Sequence, residues 1–167
     1  MRTALDVPAA TLDEDEQNFI EKIREFGWFR TGVLGEDEHP GFAYTTGFWS
    51  SLGVPEILVF SLKLDVAHNV LWDIYREAGN GRVLPICKGI SDIFGNHMAY
   101  LFPIAKEHYA EHLGWSRWFY GDDDFPCLQL VWPDRNGVFP WQADFDENFR
   151  NDQPDLSPTG WARELRH

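Results

Sequence analysis

Pro40-Gly41-Phe42-Ala43-Tyr44-Thr45-Thr46-Gly47-Phe48 and, after a short polar interval, Glu56-Ile57-Leu58-Val59-Phe60-Ser61-Leu62 carry the pattern that decides the fold. The first stretch alternates. As a strand it sets Phe42, Tyr44, Thr46 and Phe48 on one face and Ala43, Thr45 and Gly47 on the other. The second is apolar on both faces at Ile57, Leu58, Val59, Phe60 and Leu62, as in a central strand buried on both sides. A doubly buried strand needs layers above and below it, so the chain is organised around a covered sheet.

The flanking segments supply those layers. Thr11-Leu12-Asp13-Glu14 has the form of a capping box, and Phe19, Ile20, Ile23 and Phe26 follow at helical spacing up to Gly27. Trp28 to Leu34 reads as a strand, and Gly35 to Gly41 as a polar turn. Asp65 can cap a helix to about Ala78, with Leu64, Ala67, Leu71, Ile74 and Tyr75 on its apolar stripe and Gly79 at its end. Arg82 to Cys87 reads as a strand beside the central one, closing a strand–helix–strand unit near an edge because of Pro85. His97 to Ile104 and Pro126 to Trp132 are further strands. Lys106 to about Tyr120 reads as a helix loosened near Gly114. Asn136-Gly137 predicts a hairpin returning through Val138 to Trp141. The expected fold is α+β, with five to seven strands in a mainly antiparallel, twisted sheet and about three helices; a half-open barrel is its curled form. Residues 1–12 read as a flexible lead-in, 13–143 as one domain and 144–167 as a polar tail.

At 167 residues with 44% apolar and 16% aromatic content, one domain can bury a sizeable core. Eight Trp and thirteen Phe cannot all be fully buried, so some rings should line a surface or cleft. The 27 acidic residues outnumber 14 basic ones, for a net charge of −13. That balance argues against nucleic acid or an anionic membrane as partner. It suits a basic protein partner through charge steering, although solubility alone is the plainer reading. No apolar run is long enough to span a bilayer, and no basic-then-apolar start marks a signal peptide. Cys87 and Cys127 are too few for a disulfide framework and read as reduced thiols in a cytoplasmic protein.

Catalytic motifs are sparse. His108-Tyr109-Ala110-Glu111-His112 matches H-x-x-E-H, which on a helix sets His108 and His112 on one face with Glu111 beside them. A zinc-dependent hydrolase would need a third ligand, from His97 or Asp122 to Asp124; the plainer reading is an amphipathic surface helix. Asp122-Asp123-Asp124 lacks the alternating spacing of a calcium loop. No G-x-S-x-G, phosphate-binding glycine motif or basic stripe occurs. A polar group in an aromatic setting remains: Tyr44, Thr45, Thr46, His97, Gln129, Trp132 and Asp134. These residues could line a small-molecule pocket, for instance a flavin-type split barrel, but no evident Arg or Lys phosphate clamp accompanies them. The plainer reading is that Thr45 and Gln129 satisfy backbone groups or a buried water. No cofactor is expected.

These residues make the chain resemble the bacterial domain-of-unknown-function family numbered 4262. The resemblance rests on Phe26-Gly27-Trp28, the Pro40-to-Phe48 stretch, Pro55-Glu56-Ile57-Leu58-Val59 and Gln129-Leu130-Val131-Trp132-Pro133-Asp134-Arg135-Asn136-Gly137-Val138-Phe139-Pro140-Trp141. It brings no catalytic residue with it, and His112 is not among its features. It implies a small standalone bacterial protein, of a kind often found among immunity proteins of toxin systems. The leading expectation is a non-enzymatic binding protein. Its acidic loops Glu36-Asp37-Glu38 and Asp122-Asp123-Asp124 would meet a basic partner, and a ring-rich surface could support a homodimer. The alternative is a small-molecule binder or enzyme.

Overall fold

The computed structural model describes residues 1–166. Helix α1 (Glu14–Phe26) is capped by Asp13, whose side chain accepts from the Glu16 amide while Glu16 reaches back to the Asp13 amide. The capping box therefore lies two residues beyond the Thr11 expected from sequence, with the same spacing. Gly27, at φ +86°, ends the helix in the left-handed region that glycine occupies without penalty. Strands β1 (Phe29–Val33) and β2 (Phe42–Thr46) follow. Phe48 does not extend β2, as its alternation predicted. Gly47, at φ +116°, turns the chain into helix α2 (Phe48–Leu52).

Strand β3 (Glu56–Phe60) is buried at every position, as its two-sided apolarity required. Helix α3 (Leu64–Gly79) buries Ala67, Leu71 and Ile74. Beyond it come β4 (Tyr100–Pro103), α4 (Tyr109–His112), α5 (Gly114–Tyr120), β5 (Cys127–Val131) and α6 (Trp161–Glu164). The expected break in the Lys106–Tyr120 helix is present, centred on Leu113, with a 3-10 turn before α4.

The five strands form one open sheet in the order β1-β2-β3-β5-β4. Three pairs are antiparallel and β3–β5 is parallel, so the sheet is mixed, not purely antiparallel, and it does not close. Among the described residues there are six α-helices, twice the number expected, because the chain makes several one- and two-turn helices. Arg82–Cys87 is not a strand: Val83 is 89% exposed, Cys87 has φ +61°, and the parallel partner of β3 is β5. The Asn136-Gly137 turn forms, but no returning strand follows. Asp134 captures the amides of Asn136 and Val138, and Phe139 and Trp141 pack as rings instead.

Each face of the sheet carries a core. On one, Tyr44, Leu58 and Phe60 meet Phe19, Ile20 and Ile23 of α1 and Leu113, Phe119 and Tyr120 around α5. On the other, Ala43, Ile57, Val59, Leu101, Leu128 and Leu130 meet Ala67, Leu71 and Ile74 of α3. A third cluster joins Phe102, Val131, Phe139 and Trp161. The stretch after Asp144 is polar in composition, yet it buries Phe145, Gln153, Leu156 and Trp161 against this framework.

Candidate functional site

One charged side chain anchors the sheet to its helices. Glu56 is fully buried at the start of β3. One carboxyl oxygen accepts from Thr45 Oγ1 at 2.7 Å and the Phe48 amide at 3.1 Å. The other accepts from the Gly47 and Trp49 amides, each at 3.1 Å, and from Tyr120 Oη. The Ile57 amide donates to Thr45 Oγ1 and the Ser50 amide to Tyr120 Oη, so each hydroxyl proton is left to point at Glu56. Burial raises the carboxyl pKa, and the bonds from Tyr120, Thr45, Trp49 and Gly47 oppose that rise. This network fixes α2 and α5 to the sheet, and Glu56 lines neither of the two cavities described below.

The residues expected to form a small-molecule pocket are placed similarly. Tyr44 Oη accepts from the Trp115 amide at 3.0 Å, and Thr46 Oγ1 lies 2.6 Å from Ser116 Oγ, so these side chains dock α5. Gln129 donates to the Pro154 carbonyl at 2.8 Å and accepts from the Leu156 amide at 3.3 Å. Trp132 Nε1 donates to the Phe60 carbonyl at 2.9 Å. Asp134 accepts from the amides of Asn136, Val138 and Asp146. Desolvation raises its carboxyl, and the amides of Val138, Asp146 and Asn136 outweigh that, leaving it below the usual carboxylate range. His97 is half-buried beside Gly137. None of these residues lines the principal acidic cleft.

That cleft, of about 970 Å³, is assembled from three distant segments around Phe42 and Phe60. The first is the tight hairpin closed by reciprocal backbone bonds between Glu36 and His39, with Asp37 at φ +36°. It presents Asp37, Glu38 and His39. The second is α4 with its leading turn, presenting His108, Glu111 and His112. The third is the 150–156 segment, presenting Arg150, Asp152 and Asp155. Four bonds pin this segment: the two from Gln129, Ser61 Oγ to the Asp152 carbonyl at 2.7 Å, and the Ala105 amide to the Leu156 carbonyl at 2.8 Å. Gln153 adds two more to the backbone of Trp132.

Inside the cleft, the His112 ring packs on Phe42 and Phe60 at 5.2 and 5.7 Å between centroids. Its Nδ1 lies 3.0 Å from the His108 carbonyl, which can only accept, so Nδ1 carries the proton. Arg150 is already paired with Glu147 at 2.8 Å. Asp155 is occupied by the Ser157 amide and hydroxyl and the Trp161 amide. Among the described residues Asp152 has no such partners, and desolvation raises its carboxyl pKa. The lining thus carries five carboxylates, Asp37, Glu38, Glu111, Asp152 and Asp155, against one engaged guanidinium.

His108, Glu111 and His112 share this wall, with the two imidazole centroids 6.4 Å apart. Among the described residues, no three His, Cys, Asp or Glu side chains are grouped to hold a metal ion. Of the two acidic loops, only the first borders the cleft. Asp123 pairs with Arg117 at 2.6 Å, and Asp122 caps the Asp124 amide. Sequence reasoning missed His39, Asp152 and Asp155. The one signal for the 150–156 wall was Gln129, a buried amide on a central strand that needed partners from somewhere. Cys127 is buried and its thiol pKa is pushed well up by burial; Cys87 is half-buried and raised by the same cause.

An open mixed sheet with helices on both faces and an acid-lined, aromatic-floored cleft at one end describes the class of structure. The chain belongs to the family Domain of unknown function (DUF4262), whose model matches residues 22–146. No curated protein and no solved structure matches the chain. The family match includes the hairpin and α4 walls of the cleft and stops short of the 150–156 wall.

Proposed function

We propose that the protein is a non-enzymatic binding protein whose cleft receives a basic segment of a protein partner. The observation that carries this reading is the set of five carboxylates around Phe42, Phe60 and Leu156, with the one lining arginine tied to Glu147. A lysine or arginine suits such a place. Its aliphatic stem covers the apolar floor and its charged head meets the carboxylates. Asp152 is the favoured anchor, because it bears a desolvation penalty that a neighbouring cation relieves. The net charge of −13 adds long-range attraction and speeds encounter with a basic partner.

Calorimetric titration with a synthetic Lys/Arg-rich peptide tests this reading. The cleft variant is Asp37→Asn/Glu38→Gln/Asp152→Asn. The control, Glu14→Gln/Glu21→Gln/Glu25→Gln, removes the same charge from exposed positions on α1. The cleft variant should bind about tenfold more weakly and with a shallower salt dependence, while the control stays near wild type. Equal weakening in both would reduce the effect to net charge and refute the site.

A further inference from the structure

A second cavity, of about 610 Å³, lies on the other side of the Arg150–Asp155 segment and has the opposite charge. Its lining includes Arg150, Arg163 and Arg166, with Asp155 the one carboxylate among the charged groups. That carboxylate is consumed by the Ser157 and Trp161 bonds described above. Arg163 and Arg166 lie one turn apart, the Arg166 amide donating to the Arg163 carbonyl at 3.1 Å. Among the described residues, neither guanidinium has an ion-pair or hydrogen-bond partner, in a chain with 27 carboxylates to choose from. Like charges at this spacing repel unless an anion sits between them.

Trp161 and Trp141 form the aromatic side of the cavity. Trp161 is 6% exposed, and its indole Nε1 is buried with no hydrogen-bond partner among the described residues. With no accessible surface, that nitrogen does not face the cavity, so Trp161 contributes an apolar edge to the wall. Trp141, half-buried in the same wall, packs edge-to-face with Trp161 at 5.9 Å and stacks on Phe139 at 4.8 Å. The cavity thus joins a cationic end to indole surfaces, and its volume falls in the range of small-molecule sites.

We infer that this cavity binds a small phosphorylated ligand with a planar ring, of the nucleoside monophosphate class. Arg163 and Arg166 hold the phosphate, since guanidinium forks match its geometry with paired hydrogen bonds. The ring packs against Trp141 and the accessible edge of Trp161. The site is distinct from the acidic cleft, with which it shares the Arg150–Asp155 wall: it differs in charge, and Arg163 and Arg166 do not line that cleft.

Adenosine 5′-monophosphate serves as the test ligand, with tryptophan fluorescence and calorimetry as readouts, beside adenosine and inorganic phosphate. The nucleotide should bind at least about tenfold more tightly than either fragment. Arg163→Gln/Arg166→Gln changes only exposed side chains and should weaken nucleotide binding about tenfold or more while leaving the melting temperature unchanged. Trp141→Leu removes the half-buried ring from the cavity wall and should also weaken binding. Nucleotide binding no tighter than inorganic phosphate, an unaffected double-arginine variant, or no binding at millimolar nucleotide would each overturn the inference.

Discussion

Replacing Glu56 with glutamine should cost the fold about 2–4 kcal/mol. The figure follows from counting donors. The carboxylate accepts five hydrogen bonds, two at one oxygen and three at the other. A glutamine must put its NH2 group at one of those positions. Placed where it faces Gly47, Trp49 and Tyr120, it opposes three donors, two of them backbone amides that cannot turn away. Placed where it faces Thr45 and Phe48, it opposes one hydroxyl, which can rotate, and one amide, which cannot. The better arrangement therefore leaves the Phe48 N–H buried and unpaired, a loss of about 1–3 kcal/mol. The remaining bonds also weaken, since bonds to a charged acceptor contribute about 1.5–3 kcal/mol each against 0.5–1.5 for neutral ones. Relief of the carboxylate's desolvation returns part of this. For a chain of this size the net should lower the melting temperature by roughly 5–15 °C. Thermal unfolding followed by near-ultraviolet circular dichroism reads it directly. A shift below about 2 °C would mean that the five-donor network does not hold α2 and α5 to the sheet, and the reasoning would fail.

Three other outcomes follow from single contacts. Gly47→Ala should lose roughly 3 kcal/mol or more, or fail to fold, because its Cβ would sit 2.4 Å from the Gly27 carbonyl oxygen at a φ of +116°; refolding yield and melting temperature check this. Gln129→Leu should lose about 1–3 kcal/mol by stranding the Leu156 amide, and hydrogen exchange across residues 150–156 should quicken before exchange elsewhere in the chain. Cys127 should resist a disulfide reagent in the folded protein, while Cys87 reacts first and slowly; equal rates for the two thiols would contradict the burial described here.

The two neighbouring strands were legible because their patterns are local. Alternation at Phe42–Thr46 and two-sided apolarity at Ile57–Phe60 each reflect what lies above and below the strand itself. Which strand pairs with β3 is a different kind of information. Arg82–Cys87 and Cys127–Val131 are both short apolar runs, and only tertiary packing selects the second. The capping box moved by two residues because Thr11–Glu14 and Asp13–Glu16 satisfy the same rule and the chain uses the second. Glu56 looked like a polar strand start. Its role depends on the Gly47 turn and on Tyr120, 64 residues away, which no local window contains.

The cleft was only half readable for the same reason. Asp37 and Glu38 were visible as part of an acidic loop, and His108, Glu111 and His112 as a helical motif. What unites them is the 150–156 wall. That wall reads as polar tail because its anchors, Gln129, Ser61 and Ala105, lie 25 to 91 residues away. The arginine-lined cavity was hidden likewise: Arg163 and Arg166 are neighbours on one turn, but they join Arg150 and Trp141 in one cavity only through the fold of the C-terminal stretch.

The most direct test of the central claim is a backbone amide NMR titration with the Lys/Arg-rich peptide, mapping every shift onto the structure. The account predicts changes concentrated at Asp37–Pro40, His108–His112 and Asp152–Leu156, lost in Asp37→Asn/Glu38→Gln/Asp152→Asn. Shifts spread over all acidic surfaces in proportion to charge, or centred on Asp122–Asp124, would contradict it.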